Sequence, residues 1–134
     1  MLPVLGLIVP CYNEQEILTE TLRRLSAVLI ELIDRQRIHP DSKIVWVDDG
    51  SRDATWDIIS QQAHENPMVC GVKLSTNTGH QNALMAGLTV AVDSCDATIT
   101  IDADLQDDIS VIATMVDKYI AGADIVYGVR QSRK

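Results

Sequence analysis

With 134 residues, 46% of them apolar, the chain is long enough to bury one domain's core and too apolar to be disordered. Its net charge of −8 speaks against a nucleic-acid binder, which neutralises phosphates with Lys and Arg. Phe is absent, so Ile, Val, Leu and Ala must fill the core; Cys11, Cys70 and Cys95 fit no zinc spacing and read as small core residues of a reducing compartment.

Strand-like and helical runs alternate along the chain with no internal repeat, the pattern of parallel βαβ units. The apolar N-terminus ends at Cys11 as a lipoprotein leader would, but it lacks a basic start and is too short to span a bilayer. Residues 5–10 are instead expected to be a first strand, closed by Pro10, which cannot continue a ladder. Asn13 and Glu16 have the spacing of a capping box for a helix running to about Arg35, with Leu18, Leu22, Leu25, Leu29 and Leu32 on its inner face. Tyr12 and Glu14 fall at the carboxyl end of the strand, where α/β sheets bind ligands. Glu14 is also explained as a first-turn acid favoured by the helix dipole, and position alone favours that explanation.

Residues 43–47 form the expected second strand, followed directly by Asp48-Asp49-Gly50-Ser51. Neighbours on an extended chain point opposite ways, so only one of the two aspartates can face a shared ligand. Ser51 or Asp53 is placed to cap a helix carrying Trp56 and Ile59. A third strand is expected over 69–74. Thr76-Asn77-Thr78-Gly79 then turns into a helix over 80–92, whose Ala83, Ala86 and Gly87 let it lie close on the sheet. A single histidine such as His80 at a helix start is more often a turn residue than a base.

The most informative stretch is the fourth strand together with the acidic turn at its end. The β-branched run 97–101 ends in Asp102-Ala103-Asp104-Leu105-Gln106-Asp107-Asp108, four aspartates within seven residues. Two carboxylates one residue apart repel by roughly 3–4 kcal/mol at an effective dielectric of about 20. A hard divalent cation with oxygen ligands relieves that repulsion, and Gln106 adds a carbonyl oxygen. A helix from about Ser110 to Ile120, ending near Gly122, should come next, then a fifth strand over 124–127 and a basic tail. The sequence stops just after a strand, as a cut chain would. The acidic strand ends would share one rim, and no glycine-rich phosphate loop is present. A diphosphate would therefore be bound there through a bridging metal.

Three acidic-site folds compete for this pattern. A dehalogenase-type phosphatase carries its Asp-x-Asp on the first strand, and a receiver-like domain has an acidic pair there; this chain has Pro10-Cys11-Tyr12 at that position. The third fold accounts for more. Val9-Pro10-Cys11-Tyr12-Asn13-Glu14, Val47-Asp48-Asp49-Gly50-Ser51-Arg52-Asp53 and Asp102-Ala103-Asp104-Leu105-Gln106 occur in order and together resemble the family 2 glycosyltransferases of GT-A fold. The stretch from Asn77 to Leu88, and Tyr127-Gly128-Val129-Arg130, are similar to those of the polyprenyl-phosphate glycosyltransferases, the group that includes dolichol-phosphate mannose synthase and bactoprenol glucosyltransferases.

The resemblance implies a three-layer αβα, mainly parallel, Rossmann-like sheet with its first four strands ordered 3-2-1-4. It implies that residues 1–134 are the donor-binding part of a domain continuing on its C-terminal side. Pro10, Tyr12 and Glu14 would hold the nucleoside of a UDP- or GDP-sugar, which reverses the reading of Glu14 from position alone, and Val47 and Asp49 would close on the base. Asp102, Ala103 and Asp104 would meet the ribose and diphosphate; Asp102, Asp104 and Gln106 would hold Mg²⁺ or Mn²⁺; and Arg130 would contact the donor. The acceptor would be a polyprenyl phosphate, attacking the anomeric carbon with inversion. Its site, the catalytic residues and any membrane contact would lie in the missing part, with the parent protein at the cytoplasmic face of a membrane. Asp107-Asp108 stands where relatives commonly have Asp-Pro-Pro, and Thr78 where an aromatic is common. The alternatives are a non-catalytic nucleotide-sugar-binding module and, third, a metal-dependent phosphatase.

Overall fold

A computed structural model describes residues 1–105 and 109–122. Gln106, Arg130 and the expected strand over 124–127 lie outside these. Four strands, β1 (Leu5–Cys11), β2 (Lys43–Asp48), β3 (Val69–Lys73) and β4 (Ala97–Thr100), alternate with α1 (Leu18–Asp34), α2 (Thr55–Glu65), α3 (His80–Ala91) and α4 (Val111–Ile120). Among the described residues all pairings are parallel and the order is β3-β2-β1-β4, as the resemblance implied.

Alternation along the strands sorts the core into two layers. Leu5, Leu7 and Val9 of β1, with Ile44 and Trp46 of β2, pack with Leu18, Leu25 and Leu29 of α1, Ile59 of α2, and Ile112 and Val116 of α4. Ile8, Val45 and Val47 point the other way, against Ala83 and Ala91 of α3. The chain steps from β1 to β3 with α1 and α2 on one face, then reverses across the sheet with α3 on the other, as right-handed crossovers require. A Cβ on Gly87 would sit 2.6 Å from Ile8 Cγ2 and 2.8 Å from Val47 Cγ2, so the small face of α3 is what brings that helix onto the sheet. No helix among the described residues is long and apolar enough to cross a membrane.

Two local expectations need correction. Pro10 does not close β1; the strand runs on to Cys11, and Pro10 pairs in register with Val47. The Cys11 carbonyl accepts the Asp49 N–H (2.9 Å) on the β2 side, so the polar edge of Pro10 faces β4, past the last β4 register pair at Ile8 and Thr100. The proline, which has no N–H to give, therefore breaks no ladder bond to β2. The Asn13/Glu16 capping box does not form either: α1 starts at Leu18, its N-cap Ile17 makes no side-chain cap, and Asn13 has another task.

Candidate functional site

The loops after β1 and β2 are laced to each other. Asn13 takes a left-handed conformation (φ 53°), its N–H donates to Ser51 Oγ (2.8 Å), and its Oδ1 accepts the Arg52 N–H (2.9 Å). The Glu14 N–H donates to Thr55 Oγ1 (2.9 Å), while the Ala54 N–H donates to Gln15 Oε1 (2.9 Å). These N–H groups sit just before helices, where no intrahelical acceptor exists, so each loop satisfies the other. Asp53 accepts the Thr55 N–H (2.9 Å) just ahead of α2, but the N-cap of that helix is Ala54 with no side-chain cap, so neither Ser51 nor Asp53 is the cap expected. Ser51 instead joins the lacing.

Asp48 and Asp49 point to opposite faces, as extended backbone demands. Asp48 is fully buried opposite Cys11 and accepts the Ser51 N–H (3.0 Å) through Oδ1. Burial first, and then the Asp48 charge, push the Cys11 thiol far above its usual range, so it stays protonated and is no nucleophile. Asp49 turns towards the third loop: Oδ1 accepts the Thr78 N–H (2.8 Å) and hydroxyl (3.1 Å), and Oδ2 accepts the Gly79 N–H (3.1 Å). Thr78 thus gives Asp49 two donors, one from its backbone and one from its side chain. Gly50 (φ +74°) lies beneath the same loop, and a Cβ there would fall 2.5 Å from both Asn77 N and Thr76 C.

The Asp-Ala-Asp turn is tied through its backbone. The Ile101 N–H donates to the Ile8 carbonyl (2.9 Å) and extends the sheet by one residue beyond β4. Leu105, in the left-handed region (φ 52°), donates its N–H to the Asp102 carbonyl (3.0 Å). Ala103 is buried, with its carbonyl held by Thr21 Oγ1 at 2.7 Å, whereas Asp102 and Asp104 are exposed.

These loops enclose a cleft of about 330 Å³ at the carboxyl ends of the strands, lined by Pro10, Cys11, Tyr12, Glu14, Asp49, Asn77, Gly79, His80, Ala83, Asp102, Ala103 and Asp104. Of the residues expected from sequence, Val47 is the exception among those described. It is fully buried against α3, because its place on the strand turns it to the core. Asn77, Gly79 and His80 join the cleft without having been expected there, although the rule that ligands bind at strand carboxyl ends applies equally to β3. Burial, then the charges of Asp104, Asp53 and Asp102, raise the Glu14 carboxyl above the usual carboxylate range, so the cleft carries an excess of negative charge. A larger hollow, about 380 Å³, lies near the other end of the sheet between β4 and α4, lined largely by apolar residues such as Ile99 and Val116. Of its polar lining residues, Asp96 is taken up by the Val4 N–H and the Tyr119 hydroxyl by the Asp96 carbonyl.

The family model for glycosyl transferase family 2 matches residues 7–134. The chain belongs to that family. It is 53% identical over 132 residues to the uncharacterized glycosyltransferase YkoT of Bacillus subtilis (strain 168), covering 98% of this chain and 39% of the relative. It is 39% identical over 133 residues to the bactoprenol glucosyl transferase of Shigella phage SfV, covering 96% of this chain and 39% of that one. The chain thus spans about two-fifths of the length of these curated relatives. Among solved structures, Staphylococcus aureus TarS 1-349 in complex with UDP superposes with a TM-score of 0.57 at 22% identity, covering 87% of this chain and 33% of that one. At that identity the likeness speaks for the fold, and the fold is that of this family.

Proposed function

We propose that this chain binds the nucleotide-sugar donor of a glycosyltransferase whose acceptor is a polyprenyl phosphate. The observation that carries the reading is one cleft lined by Pro10, Tyr12, Glu14, Asp49, Asp102, Ala103 and Asp104, contributed by three separate strand ends. In this reading Tyr12 and Glu14 flank the nucleoside, and Asp49 shapes the base end by holding Thr78 and Gly79. Asp102, Ala103 and Asp104 meet the ribose and diphosphate. Arg130 and Gln106 belong to the same proposal by family resemblance. The bactoprenol glucosyl transferase relative supports a lipid-phosphate acceptor, and the UDP-bound neighbour is consistent with a nucleoside diphosphate donor. On this reading the whole protein works at the cytoplasmic face of a membrane.

The residues present fit a divalent cation, Mg²⁺ or Mn²⁺. No group of three or more His, Cys, Asp or Glu side chains able to hold a metal occurs among the described residues. Mg²⁺, however, is commonly held by one or two carboxylates together with substrate phosphates rather than by an all-protein cage. Asp102 and Asp104 supply hard oxygens, and they line the same cleft as Glu14, whose carboxyl is raised first by burial and then by the Asp104, Asp53 and Asp102 charges. The chemistry such an ion supplies when bound is Lewis-acid stabilisation of charge developing on the departing diphosphate. An acceptor phosphate is already ionised near neutral pH, so the chain needs no strong general base to activate it.

Titration calorimetry with UDP and GDP, each with and without Mn²⁺, tests this. Nucleotide and cation should each strengthen the other's binding by the same factor, and Asp104→Ala should abolish the coupling. At a hundred times its dissociation constant the matching nucleotide should stabilise the fold by about 2.7 kcal/mol. Nucleotide affinity unchanged by Mn²⁺ would remove the metal from the proposal.

A further inference from the structure

We propose that Thr21, which does not line the cleft, is a positioning residue for the Asp102 and Asp104 carboxylates; this rests on the reading of that pair as the cation and diphosphate end of the site. The inward face of α1 is Leu18, Leu25, Leu29 and Leu32, and Thr21 sits between the first two, where an aliphatic side chain would continue the stripe. It is 3% exposed, so its hydroxyl must find a partner inside the protein. A threonine within a helix commonly turns its hydroxyl back to the carbonyl four residues earlier. Here the Ile17 carbonyl takes the Thr21 N–H (2.9 Å), and the hydroxyl donates to the Ala103 carbonyl instead, at 2.7 Å across 82 residues of sequence.

That carbonyl lies between the two aspartates. Peptide groups are planar, so the Ala103 carbonyl cannot swing without turning the N–H of Asp104 with it. The Ala103 methyl is buried as well, which leaves rotation about the flanking bonds as the turn's main freedom. The Leu105 N–H closes the turn onto the Asp102 carbonyl from the far side. Thr21 thus anchors to α1 the segment that carries both carboxylates to the cleft, without touching either of them.

The test is calorimetry of Mn²⁺-dependent UDP binding by wild type, Thr21→Val and Thr21→Ser, each at a temperature where it is fully folded by circular dichroism. Valine keeps the shape and removes the donor; serine keeps the donor. Thr21→Val should weaken Mn²⁺-dependent binding by roughly 10- to 100-fold, the loss usual for outer partners of metal ligands, and Thr21→Ser should stay within about threefold of wild type. Without metal, amide hydrogen exchange at Leu105 should quicken in the valine variant and not in the serine variant. A valine variant that melts earlier but binds like wild type would overturn the proposal, because a purely structural threonine behaves that way. Should the valine variant not fold, Thr21→Ala replaces it with the same expected outcomes. Wild type lacking any Mn²⁺ dependence would instead remove the underlying reading, and this proposal with it, before any variant is made.

Discussion

Two stretches of the same rim are built on opposite plans. The loops after β1 and β2 turn their polar side chains on each other: Asn13, Gln15, Ser51 and Thr55 all bond backbone of the facing loop. The Asp102 to Leu105 turn is also tied down, but through backbone and one buried threonine, and both its carboxylates are left exposed. The first region is completed by folding alone. In the second, folding fixes the frame and leaves both carboxylates exposed at the cleft, where Glu14 is raised first by burial and then by the Asp104, Asp53 and Asp102 charges.

The largest expected disruption of the laced region comes from Gly50→Ala. Left-handed backbone costs an alanine about 1–2 kcal/mol, and overlap with the Thr76 and Asn77 backbone about 1–3 more. Urea denaturation should show a loss of about 2–5 kcal/mol; a loss near zero would mean that the third loop is not seated on Gly50. Asn13→Ala should cost less, about 2–3 kcal/mol, by combining its left-handed φ with the loss of the Arg52 N–H acceptor. Asn13→Gly restores the backbone freedom and not the acceptor, so the difference between the two variants separates these contributions. Equal losses would place the whole effect in the hydrogen bond.

The smallest effect probes the charged side of the comparison. The Glu14 carboxyl is raised above its usual value of 4.5 in the folded protein, so the folded chain binds that proton more tightly than the unfolded one. The stability it contributes is therefore fully present below about pH 4.5 and is lost as pH rises through the folded value. Glu14→Gln should melt higher than wild type at pH 7.5, with the gap closing as pH falls towards 4. A gap of the same size at both pH values would show that the Glu14 carboxyl is not raised in the folded protein, whether by burial or by Asp104, Asp53 and Asp102.

Much of this is legible in the sequence, for reasons that differ by residue. The strand order comes from the resemblance carried by motifs that each sit at a strand end, and Asp48 and Asp49 part to opposite faces because extended backbone leaves no choice. Asn13 misleads because a capping-box spacing describes a local option, while its partner, Arg52, is distant in sequence. Position alone misjudges Glu14 for the related reason that a first-turn acid looks the same whether or not other carboxylates approach it. Val47 belongs to the site only by analogy, and alternation turns its side chain into the core. Thr21 hides beside Leu22 in a leucine stripe. Nothing in the local pattern announces a hydroxyl that bonds a carbonyl beyond a different strand.

Gly87 carries a consequence for the width of the cleft. It lies near the middle of α3, well away from the rim, yet the absence of a Cβ there sets how closely the helix approaches β1 and β2. The start of that helix places Gly79 and His80 in the lining of the cleft, so the seating of α3 on the sheet also sets where that wall stands. A larger side chain at position 87 would lift the helix and draw the His80 wall away from the Asp102 wall. The aperture of the cleft is in this sense set two turns down the helix, by an atom the chain does not have.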